Sequence, residues 1–105
     1  MDYQSLSLDI ADHVAVVTLN KPEKINAMGA DFWDECGEVF RQINDDPDVR
    51  VAIIASTGKH FTAGIDLGYL QSLLPLQDAD PARAMDMMRR KIKYLQGAFE
   101  AIDNC

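Results

Sequence analysis

GKHFTAGIDLGYL, residues 58–70, follows the apolar run VRVAIIAS and leads into an amphipathic segment. Its centre, Phe61-Thr62-Ala63-Gly64-Ile65-Asp66, carries no cysteine, no serine in a hydrolase setting and no acid–base pair. Gly58 and Gly64 bracket the loop, and glycine accepts positive φ and lets backbone approach a ligand closely. The first N–H groups of the following helix have no partners inside it and carry the positive end of its dipole. The stretch therefore predicts a strand, a glycine-jointed corner and a helix start, the place where open α/β folds put ligands. Donors around Ile65 would face a ligand oxygen, and one such donor stabilises developing negative charge by roughly 3 to 4 kcal/mol. Asp66 is the one ionisable group in the corner proper. Two places past Gly64 it sits where caps sit, so a helix cap is preferred to a general base. His60 lacks an evident partner and reads as an exposed loop residue.

Upstream, Leu6, Leu8 and Ile10 alternate with Ser5, Ser7 and Asp9, the period of a half-buried strand. HVAVVTLN, residues 13–20, predicts a second, more buried strand. With only Ala11 and Asp12 between them, the two form an antiparallel hairpin. Asn20-Lys21-Pro22 breaks the pattern and opens a loop that runs to Met28. From Ala30 to Asn44 the residues Phe32, Trp33, Cys36, Val39, Phe40 and Ile43 mark one helical face, with Asp34, Glu35, Glu38, Arg41 and Gln42 opposite. DDPD ends that helix. Val49 to Ser56 is almost wholly apolar beyond Arg50, as in a strand covered on both faces. Strand, helix and second buried strand make a β-α-β crossover.

Beyond the corner, Leu67, Leu70, Leu73 and Leu74 predict a short helix ending at Pro75, and PLQDADP a loop. Asp80 before Pro81 is a helix start, an N-cap followed by proline at the first helical position. Ala84, Met88, Ile92, Leu95, Phe99 and Ile102 trace a stripe along a long helix. Met85, Met87 and Met88 read as core filler in preference to an adaptable binding surface. Arg89, Arg90, Lys91 and Lys93 read as its solvated face rather than a membrane-binding one.

The 105 residues fit one small domain, and a hydrophobic share of 48% suffices for a core. A net charge of −7 argues against nucleic acid as a partner. No apolar run is long enough for a membrane span. The N-terminus MDYQSLSLDI has no basic region of a secretion signal. Cys36 and Cys105 lack metal-ligand spacing and suggest a reducing, cytoplasmic setting. Cys36 falls on the helix's apolar face as a core thiol. Lys21, Lys24 and Lys59 fall in two loops, either as solvated side chains or, if the loops meet, as a phosphate-binding set. Spacing does not decide between these. GxSxG, GxGxxG, GxxxxGKS and HExxH are all absent.

NKPEKINAM after a buried strand, then AIIASTGKHFTAGIDL some thirty residues later, resembles the crotonase superfamily, the enoyl-CoA hydratase/isomerase group. The resemblance covers the whole chain. It implies an α/β fold, the crotonase-like spiral of β-β-α units, with residues 1–105 as the N-terminal part of a single domain. It implies acyl-CoA as substrate, coenzyme A as part of that substrate, no other cofactor and no metal. Lys24 and Ala27 then lie along the coenzyme A nucleotide, which favours the ligand reading of the lysines. Ala63, Gly64, Ile65, Asp66 and Leu67 line the substrate, and the backbone N–H of Ile65 is the oxyanion donor to the thioester oxygen.

FTAGIDL followed by RRKIKYLQGAF most resembles dienoyl-CoA isomerase-like members. Family domains are well over twice this long, with a second donor, the acidic catalytic residues and trimerisation helices later in the chain. The parent enzyme is expected to be a homotrimer or hexamer. The 105 residues alone are expected neither to turn over substrate nor to stay monomeric. The rival class is a non-catalytic α/β interaction module that binds a partner through its Met-rich helix.

Overall fold

The computed structural model describes residues 3–73 and 80–105. Leu74 and the loop residues 75–79, for which the sequence suggests a helix end and a connection, lie outside the described residues. Strand β1 (Leu6–Ala11) pairs antiparallel with β2 (Val14–Leu19), and β2 pairs parallel with β3 (Val51–Ser56) in the order β1-β2-β3. Helix α1 (Ala30–Asp45) makes the crossover between β2 and β3. A short helix α2 (Leu67–Leu73) and a long one, α3 (Pro81–Asp103), follow.

The hairpin turn sits one residue later than the alternation suggests. Asp12 and His13 form it with φ of 51° and 69°, and Ala11 stands opposite Val14. Two consecutive positive φ values belong to the turn whose twist matches paired strands. His13 bends into this position while its Nδ1 lies 2.7 Å from the Asp48 carbonyl oxygen.

Ala15, Val17 and Leu19 of β2 point into the core, where they meet Phe32, Cys36, Val39, Phe40 and Ile43 of α1. The apolar stripe of α1 is thus the stripe read from its spacing. Glu35 departs from that reading. It is buried, and its carboxylate accepts hydrogen bonds from the N–H of Gln4 and Ser5, both at 2.9 Å, and from the Ser5 hydroxyl. Three donors compensate a carboxylate that burial would otherwise penalise, and they fasten the start of β1 to α1. Cys36 is a core thiol, as its place in the stripe predicts. Burial pushes its pKa up to about 11.

The expectation for β3 is only half met. It pairs along its whole length with β2, but it is the sheet edge, and Val51 and Ile53 remain 51% and 48% exposed. Parallel pairing puts Ile54 beside Val17 on the core face and Ile53 beside Val16 on the other. Among the described residues nothing covers that other face. The apolar composition of β3 specifies cover that these residues do not provide.

Asp80 caps α3, accepting from the N–H of Arg83 at 3.3 Å. Leu95, Ala98, Ala101 and Ile102 pack on the core, while Ile92 and Phe99 stay largely exposed. Met85 and Met87 are exposed too, at 74% and 57%, so they do not fill a core here. In the N-terminal half of α3 the stripe is buried at Ala84, half-buried at Met88 and 45% exposed at Ile92.

Candidate functional site

The loop after β2 folds back on itself through a 3-10 turn at Pro22–Lys24. Ile25 and Asn26 both take positive φ, 54° and 52°, a conformation that costs a β-branched residue more than most. Asn26 explains how this is held. Its side chain is 2% exposed, accepts from the Lys21 N–H at 2.8 Å, and donates to the carbonyl oxygens of Thr57 (2.7 Å) and His60 (3.3 Å). One carboxamide therefore joins the lysine loop to the glycine-bracketed loop. The two loops also touch directly: a Cβ added at Gly58, where φ is 82°, would meet the Pro22 Cβ at 3.3 Å.

The corner itself is laced to the same loop. The Ala63 N–H donates to the Ile25 carbonyl at 2.9 Å, and the Met28 N–H donates to the Gly64 carbonyl at 2.8 Å. The Asp66 N–H returns to the Met28 carbonyl at 2.9 Å, and the Trp33 indole N–H reaches the same oxygen at 3.3 Å. The Gly64 N–H donates to the Thr62 hydroxyl. Of the four consecutive amides from Ala63 to Asp66, only that of Ile65 has no acceptor among the described residues. Its direction follows from the trans peptide. The Gly64 carbonyl points at Met28, so the Ile65 N–H of the same planar unit points the opposite way.

Asp66 is the cap the sequence predicts. Its Oδ1 accepts from the Tyr69 N–H at 2.9 Å and fixes the start of α2. Lys24, Ala27 and Asp66 line one cavity of about 260 Å³, together with Lys21, Gly29 and Tyr69. Burial, and after it the negative charge of Asp34, raises the pKa of the Tyr69 hydroxyl. Ala63, Gly64 and Ile65 are tied to this loop by hydrogen bonds but do not line that cavity. Leu67 is exposed at the start of α2. Phe61 and Thr62 border a second cavity of about 220 Å³, with Met28, Phe32 and Phe99 in its wall. His60 supplies its carbonyl and not its ring, and Lys59 is exposed. Among the described residues no three His, Cys, Asp or Glu side chains converge in a metal-binding group, and no helix is long and apolar enough to cross a membrane.

The chain has relatives among known proteins. Residues 9–96 match the family model described as enoyl-CoA hydratase/isomerase. The chain belongs to the enoyl-CoA hydratase/isomerase family. It is 42% identical over 105 residues to the human mitochondrial Delta(3,5)-Delta(2,4)-dienoyl-CoA isomerase, covering 98% of this chain and 32% of that protein. Against the crotonyl-CoA hydratase of Syntrophomonas wolfei it is 32% identical over 101 residues, covering 95% and 37%. The crystal structure of an enoyl-CoA hydratase/isomerase from Mycobacterium paratuberculosis superposes with a TM-score of 0.75 at 24% identity, over 96% of this chain and 38% of that one. The fold is thus crotonase-like, and the chain spans about a third of the length of the curated relatives it matches.

Within this family member the residue that sequence reading passed over is Asn26. It stood in a recognised loop between Lys24 and Ala27, yet a buried asparagine leaves no periodicity to detect. The one available signal was its chemistry: asparagine tolerates the left-handed region and can bond both a donor and acceptors.

Proposed function

We propose that this chain supplies the coenzyme A loop and one oxyanion donor of an enzyme acting on an unsaturated fatty acyl-CoA thioester, dienoyl-CoA isomerase-like in its reaction. The thioester oxygen accepts from the Ile65 N–H as a proton leaves carbon, and that donor stabilises the resulting enolate. Lys21 and Lys24 lie toward the nucleotide phosphates, with Ala27 beside them. Coenzyme A enters as part of the substrate, and no further cofactor or metal takes part. The observation that carries this reading is that, among the described residues, the Ile65 N–H has no acceptor while the amides on either side of it, Gly64 and Asp66, are both bonded.

In the same proposal, residues 1–105 are the N-terminal part of one crotonase-like domain. A second donor and the acid–base group come from elsewhere in a homotrimeric or hexameric enzyme. The two free thiols suit a reducing, cytoplasmic compartment, although the human relative is named mitochondrial.

Titration with crotonyl-CoA tests the binding half, and saturable binding is expected. Absence of binding at millimolar ligand would favour the interaction module, whose observation is the exposed Met85 and Met87 on α3. In the full-length enzyme the proposal implies, Ile65→Pro removes the donor and lowers kcat by roughly 10²–10³-fold. Turnover that survives the change overturns the oxyanion assignment.

A further inference from the structure

We infer that Thr62 is the positioning residue of the oxyanion corner, an inference that rests on the acyl-CoA reading above. Its hydroxyl does two things at once. It donates to the Asn26 carbonyl at 2.6 Å and accepts from the Gly64 N–H at 3.1 Å. A hydroxyl has one hydrogen to give and lone pairs to receive, so the first bond fixes the direction of the second.

Two consequences follow for the neighbouring donor. The Gly64 N–H is withdrawn from competition, so a ligand oxygen entering the corner meets one amide instead of two adjacent ones aimed differently. The peptide between Gly64 and Ile65 is also held from both ends. Its carbonyl is pinned by Met28, and the preceding amide is pinned by Thr62. Gly64 sits at φ 91° with no atom within 4 Å of where a Cβ would stand. Glycine there is free to rotate unless its bonds prevent it. Thr62 supplies the restraint that a side chain on residue 64 would otherwise give. The relay runs from the Asn26 backbone carbonyl through Thr62 and Gly64 to Ile65, so the backbone position that the buried carboxamide anchors also bears on the aim of the donor.

The experiment compares the wild-type chain with Thr62→Val and Thr62→Ser, using crotonyl-CoA carrying a ¹³C-labelled thioester carbonyl. Infrared spectroscopy reads the shift of that carbonyl on binding, and calorimetry reads affinity for free coenzyme A. Thr62→Val keeps the shape of threonine and loses both bonds, so the carbonyl shift is expected to fall by about half or more as the donor loses its aim. Affinity for free coenzyme A, which has no thioester carbonyl, is expected to stay at the wild-type level. Thr62→Ser restores the hydroxyl and should restore the shift, which a loss of packing alone would not allow. A full wild-type shift in Thr62→Val, or failure of serine to rescue, overturns the role of Thr62 while leaving the oxyanion reading intact. Absence of any shift in the wild-type chain overturns that reading, and this inference with it.

Discussion

At the scale of single residues, the loops of the candidate site are held by a few side-chain hydrogen bonds. Asn26→Ala removes a carboxamide with three partners and leaves the Lys21 N–H and the Thr57 carbonyl without that partner in a part-buried region. The loss is expected to cost about 3 kcal/mol of unfolding free energy, measured by urea denaturation. Asn26→Gly separates the causes, since glycine tolerates the left-handed backbone and should recover only the strain part of the loss. Asp66→Asn tests the cap. An amide oxygen accepts from the Tyr69 N–H as a carboxylate does, so stability should change by only a few tenths of a kcal/mol, while Asp66→Ala costs about 1 kcal/mol. Full-length enzyme that loses its turnover with Asp66→Asn but keeps its stability would mark Asp66 as a proton-transfer group after all. Cys36 makes a third case. Its folded pKa of about 11 lies above the ordinary 9.0, so from pH 9 upward the unfolded chain loses a proton that the folded chain keeps. Stability should therefore be at its full value below pH 9 and fall as the pH rises toward 11. Cys36→Ala should shrink that fall from pH 9 upward, and the part that remains as the pH passes 10 should come from Tyr3 and Tyr69, whose phenols are raised above the ordinary 10.0 in the folded chain.

Elements show what a one-dimensional pattern can carry. The stripe of α1, the alternation of β1 and β2, and the Asp80-Pro81 start of α3 were legible because each is set by neighbours a few residues away. So was the corner, whose glycine, cap and helix start follow one another within ten residues. The hairpin turn was displaced by one residue because two positive φ values can fall on Asp12-His13 as well as on Ala11-Asp12, and composition alone does not separate them. Glu35 was assigned to the wet side of α1 because helical spacing says which face a residue is on, and nothing about a distant chain end arriving there. Ser5 lies 30 residues away. Asn26 was missed for the same reason, since its two acceptors at Thr57 and His60 come from beyond the next strand. Local signals mark the two loops, the corner and its cap, while the bonds that join them are non-local and have no local signature. α1 and α3 illustrate the difference. Trp33 meets Phe32 edge-on within its own helix and Phe99 edge-on across to α3, at 5.2 Å between centroids. Trp33→Leu should loosen both the Met28 carbonyl and the α3 contact, and amide exchange at Asp66 and Ala98 should accelerate together. Exchange that changes at Ala98 alone would show that the indole does not support the corner.

At the scale of the whole chain, the described residues leave several large apolar side chains exposed. A compact chain of this length has a radius of gyration of about 13 Å, whereas here it is 15.7 Å, with a longest extent of 53 Å. α3 alone, with 23 residues, spans about 35 Å. Among the described residues two apolar surfaces stand out as exposed. One is the N-terminal half of α3, where Met85, Met88 and Ile92 border a groove flanked by Arg89 and Lys93. The other is β3, with Val51 and Ile53 exposed on an edge that carries its own unpaired backbone groups. Large exposed apolar patches drive association, and an edge strand adds directional hydrogen bonds that a helix face does not. Lysine and proline, the usual protections of an edge, are absent from VAIIAS. Sedimentation velocity of the 105-residue chain should therefore show a weight-average mass that rises with concentration. Ile53→Lys should suppress that rise more than Met85→Lys, because it places a charge on the edge that offers both kinds of contact. Equal suppression by the two variants would assign association to apolar area alone, and a chain that stays monomeric at every concentration would show that neither surface is sticky enough to matter.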